Sequence, residues 1–203
     1  KTGIVAPVLF ADVAILDATF TQNLPAHITA ATGIDAMVHA IEAYTSKIKK
    51  NPYADMLAKQ ALKLLNHNLS LVLADGQNLA ARQNMLVGSM LAGQAFANAP
   101  VGAVHALAYP LGGHFHLSHG HTNALVLVEV LKFNAPNAKQ HYAELMQLLD
   151  PRSTGCTDGL CDLFIDHMQN HLDQSGLTLK LNELNIPEAK LPQLAKDAML
   201  QTR

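Results

Sequence analysis

The step Leu24-Pro25 divides the chain into two unequal patterns, and the second governs what it can fold into. Residues 4–17, I-V-A-P-V-L-F-A-D-V-A-I-L-D, are rich in Val, Ile and Leu, broken by Pro7 and Asp12, and read as one or two short strands. Beyond Pro25 no second strand-like run follows. A strand needs neighbours for its backbone groups, so these strands imply a sheet completed elsewhere. The rest of the chain reads as mainly α.

Helical spacing places the elements. Pro25 suits a first helical turn, and Ile28, Thr32, Asp35, His39 and Glu42 then recur at three- and four-residue steps on one face. Gly33 marks a kink or a close approach just before Asp35. A second helix is expected from about Tyr53 to Leu73, after Asn51-Pro52. A third is expected from about Leu79 to Ala97. It is dense in small residues (Ala80, Ala81, Gly88, Ser89, Ala92, Gly93, Ala95, Ala97), which predicts it at the centre of a bundle. A fourth carries His105 and is expected to end at Gly112-Gly113. Further helices are expected over 121–133, 138–149, 158–173 and 188–200.

Composition bounds the partners. The 203 residues carry a formal net charge of −2 and no basic run, which argues against nucleic acid. No apolar stretch approaches the ~20 residues of a membrane span, and no secretory signal is visible. Cys156 and Cys161 match no zinc or redox spacing and read as free thiols of a reducing cytosol. The chain begins at Lys1 and is expected to be part of a longer polypeptide.

Five of the eleven histidines fall between His105 and His121, in V-H-A-L-A-Y-P-L-G-G-H-F-H-L-S-H-G-H. Upstream, T-G-I-D-A-M-V-H-A-I-E-A sets Asp35 and His39 four apart, with β-carbons ~6 Å apart on one helix face. Both can reach one cation, and the histidine-rich segment must supply the remaining ligands. His119 precedes Gly120 and an apolar helix, so the helix dipole there disfavours imidazolium and keeps a neutral ligand. One Asp with three His suits Fe²⁺ or Zn²⁺ and leaves room for a substrate oxygen. D-x-x-x-H is common on helices, and spacing alone does not choose among the five clustered histidines. His114, His116 and His121 also suit exposed loop and cap positions.

Several motifs in order give the chain a specific resemblance: A-T-G-I-D-A-M-V-H-A-I-E-A-Y at 31–44, D-G-x-x-x-x-A-R at 75–82, L-A-G-Q-A-F-A-N-A at 91–99, V-H-A-L-A-Y-P-L-G-G at 104–113 and S-H-G-H-T-N-A at 118–124. The chain resembles the iron-containing, or group III, alcohol dehydrogenases over nearly its whole length. By position, the resemblance implies metal ligation by Asp35, His39, His105 and His119, with Fe²⁺ or Zn²⁺ as the ion. Many relatives carry a His four residues after the V-H-A-L histidine, discussed as a proton relay. This chain has Tyr109 there, and a phenol with pKa near ~10 relays protons less readily at neutral pH. Where relatives often read L-P after N-A-L-L, this chain has L-V-E-V at 127–130.

The resemblance implies a domain division. Residues 1–22 would be residual strands and linker of a nucleotide-binding domain, and 23–203 a helical metal- and substrate-binding domain that continues beyond Arg203. No glycine-rich phosphate motif occurs, so NAD(P) would bind through the N-terminal domain. The implied activity is hydride transfer between an alcohol or aldehyde and NAD(P). A cytoplasmic homodimer or higher homo-oligomer is expected. Rival readings are another member of the superfamily, of glycerol or hydroxyacid dehydrogenase type, and a helical metal-binding module without chemistry.

Other residues have plainer expectations. Asp166, His167 and His171 sit beside the buried stripe Leu160, Phe164, Met168 and Leu172, on a solvated face. His27, His67 and His141 read as structural or exposed. Glu42 suits a partner for a metal-bound His or a buried contact. Phe96, Phe115 and Tyr109 suit an apolar substrate pocket or plain core.

Overall fold

A computed structural model describes residues 6–201. Seven α-helices form the described chain: α1 Ala26–Thr45, α2 Pro52–Ala74, α3 Leu79–Asn98, α4 Ala103–Phe115, α5 His119–Leu149, α6 Thr157–Gln174 and α7 Leu191–Met199. Short 3₁₀ turns lie at Pro7–Leu9, Ala18–Thr21 and Glu188–Lys190.

The strands expected over 4–17 do not form among the described residues, where Pro7–Leu9 is a 3₁₀ turn and 10–17 is irregular. With no neighbouring strand to bond, the extended segment has no ladder to join. Its apolar side chains stand in solvent: Val8, Phe10, Val13 and Ile15 are all exposed.

The helix starts follow from local chemistry. Asn51 accepts from the Ala54 amide with Pro52 in the first turn of α2, and Asn78 accepts from the Ala81 amide to start α3. The D-G-x-x-x-x-A-R segment forms the α2–α3 turn and the first residues of α3. Asp75 Oδ1 accepts from the Gln77 amide, and the buried Arg82 donates from Nε to the Gly76 carbonyl at 2.5 Å.

The centre of the bundle is α1 and not the small-residue helix α3. Helix α1 packs against α2, α3 and α5, and Ala30, Ile34, Met37, Val38 and Ile41 are fully buried. The small residues of α3 serve one side only. Ala81, Gly88, Ala92 and Ala95 are buried, whereas Ala80, Ser89 and Ala97 face solvent. Gly33 is the expected close approach: a β-carbon there would lie 2.6 Å from Leu69 Cδ1 and 2.9 Å from Met85 Cε.

Two helix ends differ from expectation. Helix α4 runs through Pro110, Gly112 and Gly113 and stops at His116, which adopts the left-handed conformation (φ 57°). Gly112 is buried inside the helix, so packing overrides its propensity. Helix α5 is one 31-residue element that passes through Pro136 and absorbs the two helices expected over 121–149. Helix α6 is anchored to it by Tyr142 stacked on Phe164, ring centroids 5.4 Å apart.

Candidate metal centre

Three helices converge on one cluster. Asp35 and His39 come from the middle of α1, His105 from the first turn of α4 and His119 from the first position of α5. One donor atom from each lies within 4.8 Å of the others. Asp35 Oδ1 stands 3.6 Å from Nε2 of both His105 and His119 and 4.0 Å from Nε2 of His39. Nε2 of His39 and His105 are 2.9 Å apart.

Gly120 makes the convergence possible. A β-carbon there would lie 2.1 Å from the Ala31 carbonyl oxygen, so the start of α5 rests directly on the backbone of α1. That contact brings His119 within reach of Asp35, one turn along.

Glu42, one turn past His39, is buried and fully engaged. Its Oε1 accepts from the Val104 amide at 2.7 Å, and its Oε2 accepts from Nδ1–H of His105 at 2.6 Å. With the proton held on Nδ1, Nε2 of His105 presents its lone pair to the cluster. The rings are also packed: His39 stacks on Phe96 (centroids 4.6 Å apart) and His119 on Tyr109 (5.5 Å).

Charge in the cluster is balanced by burial and proximity. Burial drives His39 down to about 4, against the pull of Asp35, so its imidazole is neutral at pH 7. Burial opposes a charge on His105 as well, but hydrogen bonds and charges from Asp35 and Glu42 outweigh it and raise its pKa. For Asp35, burial favours the neutral acid. The contact with His105 and the fields of the three imidazoles win and hold the carboxyl below its usual range.

Asn123, fully buried on α5, was not singled out by sequence. Its Nδ2 donates to Asp35 Oδ1 and lies 3.3 Å from His105 Nε2 and 3.4 Å from His119 Nε2. The positive end of an amide dipole thus stands between a carboxylate and two imidazoles. Its Oδ1, at the other end of the amide, is buried with no hydrogen-bond partner among the described residues, and a cation in the cluster would favour the amide turned over, with that oxygen facing inward. Tetrahedral ligands at 2.0–2.1 Å from an ion lie about 3.4 Å from one another. Four of the six donor spacings run from 2.9 to 4.0 Å and bracket that value, and all six lie within 4.8 Å. One hard oxygen, three imidazole nitrogens and this spacing fit a divalent Fe or Zn ion.

The histidine-rich segment splits by role. Nε2–H of His114 donates to Asp197 Oδ2 at 2.7 Å, and Nε2–H of His121 donates to the Thr178 carbonyl at 2.6 Å. His116 caps α4. Phe115 packs in a separate apolar group with Leu111, Ile186 and Leu194, away from the four donors. His167 and His171 are half-buried and bonded to Asn66 of α2, so the solvated face expected for them is a helix contact.

Fold and site define an all-helical domain with a candidate centre for a divalent metal. The chain belongs to the Fe-containing alcohol dehydrogenase family, whose C-terminal model matches residues 29–203. It is 40% identical over 196 residues to long-chain-alcohol dehydrogenase 1 of Geobacillus thermodenitrificans, covering 96% of this chain and 49% of that protein. Its fold matches a crystal structure of 1,3-propanediol oxidoreductase with a TM-score of 0.88 and 37% identity, over 91% of this chain and 48% of that one. Sulfoacetaldehyde reductase from Bifidobacterium kashiwanohense, solved in complex with NAD⁺, matches at 0.84 and 29% identity, over 96% and 50%. The chain spans about half the length of the curated relatives it matches. Among the described residues no helix is long and apolar enough to cross a membrane.

Proposed function

We propose that this chain is the metal-binding half of an NAD(P)-dependent oxidoreductase that moves a hydride between an alcohol and its aldehyde. The observation that carries the reading is the convergence of Asp35, His39, His105 and His119, from three helices, in a chain of this family. The relatives support the substrate class, being named for a long-chain alcohol, 1,3-propanediol and sulfoacetaldehyde. The NAD⁺ complex of one of them supports the cofactor.

Asp35, His39, His105 and His119 would hold Fe²⁺ or Zn²⁺. Bound there, the ion supplies a Lewis acid for the substrate oxygen. Glu42 fixes the tautomer and direction of His105. Phe96 and Tyr109 flank two imidazoles, the mostly buried His39 and the more open His119, and give the substrate carbon an apolar wall that limits water. Tyr109 is the candidate group for passing a proton between the substrate oxygen and solvent. NAD(P) would bind outside this helical domain, and residues 1–22 would belong with the nucleotide-binding part. The exposed Val8, Val13, Ile15 and Phe20 support that division, since apolar side chains so open to water suit a surface that is covered. The reading extends to a cytoplasmic homo-oligomer, with Cys156 and Cys161 as free thiols.

The test is steady-state oxidation of NADH and NADPH by the intact, metal-loaded protein with a panel of aldehydes. Turnover with at least one aldehyde is expected, with an altered pH profile of kcat in Tyr109→Phe. Bound cofactor without turnover on any carbonyl substrate would instead favour a metal-binding module with no chemistry. An unchanged pH profile would remove Tyr109 from proton transfer.

A further inference from the structure

On the far side of the bundle, α6 carries His167 and His171 one turn apart, and both imidazoles turn inward toward α2. Nε2–H of His167 and Nε2–H of His171 donate to the same atom, Asn66 Oδ1, at 2.5 and 2.8 Å. The rings stand nearly perpendicular, with centroids 5.0 Å apart, so their Nε2 atoms aim at one point from two directions. Both rings are half-buried, on the helix whose Leu160, Phe164, Met168 and Leu172 fill the core beside them. None of these three side chains takes part in the cluster of Asp35, His39, His105 and His119.

Two histidines at i and i+4 with convergent Nε2 atoms are a preformed bidentate ligand. An ion–nitrogen distance of 2.0–2.1 Å is about 0.4–0.8 Å shorter than the two contacts, 2.5 and 2.8 Å, now made to the Asn66 oxygen. An ion could therefore take the point where that oxygen sits, with little movement of either ring. The amide, drawn back along its own side chain, remains as an oxygen donor. Each imidazole needs only the tautomer with its proton on Nδ1. The set is two nitrogens and one neutral oxygen with no carboxylate, which suits Zn²⁺, Ni²⁺ or Cu²⁺ better than Mg²⁺ or Ca²⁺.

We propose that His167, His171 and Asn66 form a second transition-metal site, with Zn²⁺ as its ion, that ties α6 to α2. Such a tie adds a link between two helices that otherwise meet mainly through α5. It acts on the stability of α6 and not on the reaction, and it stands independently of the proposed function.

The experiment is Zn²⁺ binding to the chelator-stripped, intact protein, followed by equilibrium dialysis and by the thermal midpoint. Wild type is expected to bind two ions per chain, one in each cluster. His171→Gln is expected to lose one of them, along with the part of the Zn²⁺-induced rise in midpoint that depends on it. Asn66→Ala keeps both histidines, so it covers the case in which the first variant does not fold; weaker binding at one of two sites is its expected result. A single ion lost in His171→Gln and kept in His119→Ala would support this site and sink the other. Binding and midpoint shift that are the same in wild type, His171→Gln and Asn66→Ala would overturn the proposal.

Discussion

Gly120→Ala is expected to abolish metal loading and to destabilise the protein by about 3 kcal/mol or more, the upper end for an overpacked core. The added methyl would sit 2.1 Å from the Ala31 oxygen and 2.5 Å from its carbonyl carbon. The obstacle is helix backbone, which has no rotamer to change. Relief requires the first turn of α5 to move back by roughly 1 Å, and His119 moves with it. A ligand displaced that far leaves the ±0.2 Å window that metal coordination tolerates. Gly93→Ala is the control. It lies within α3 with nothing inside 4 Å of the new methyl, so helix propensity predicts a gain of about 0.5–1 kcal/mol. Urea midpoints of the two variants should move in opposite directions. Equal midpoints would mean that α5 does not rest on α1 as described.

Glu42→Ala is expected to cost about 3–5 kcal/mol of stability and 10- to 100-fold in metal affinity. The carboxylate has two clients, both buried. One is the Val104 amide that opens α4, and the other is Nδ1–H of His105, whose side chain is 1% exposed. Removing Glu42 leaves both buried donors without their acceptor, at a position packed so closely that a β-carbon on Gly102 would stand 3.2 Å from Glu42 Oε1. It also releases His105 to the other tautomer, with its proton on the nitrogen that faces the cluster. Glu42→Gln should lie between, because the amide oxygen can serve one client while its NH₂ opposes the other. Equilibrium unfolding and metal competition with a chelator measure the two effects. An alanine variant within about 0.5 kcal/mol of wild type would show that Glu42 is a bystander.

The legible part of the molecule is the part written in local spacing. Asp35 and His39 could be placed on one face of α1 from their separation alone, and Glu42 with them. The starts of α2 and α3 follow from Asn51-Pro52 and Asn78. The other half of the site is not local. Five histidines between 105 and 121 offered the same chemistry, and only the resemblance to a family selected His105 and His119. In the structure the reason is physical: His114 and His121 are held by Asp197 and the Thr178 carbonyl, partners 83 and 57 residues away. Asn123 carried a weak signal. It lies four residues after His119, hence on the same face of α5, but an Asn in an apolar helix does not announce a polar cluster on two other helices.

The remaining misses share a cause. Gly112-Gly113 and Pro136 are breakers by propensity, yet both lie inside helices whose tertiary contacts outweigh a cost of about 1–3 kcal/mol. The small residues of α3 signal a close approach without saying how many neighbours share it; among the described residues most of it is shared by α2 and α1. His167 and His171 flank a buried stripe, and nothing in their spacing reveals that Asn66 waits opposite. The run at 4–17 has strand composition, but composition cannot supply the neighbouring strand.

Iron content of the intact protein, purified anaerobically and loaded with Fe²⁺, tests the central claim most directly. The comparison is wild type against Asp35→Ala, His119→Ala, His114→Ala and His121→Ala. About one iron per chain is expected in wild type, His114→Ala and His121→Ala, with loss in Asp35→Ala and His119→Ala. Iron that persists without His119 and disappears without His114 or His121 would contradict the four-ligand centre.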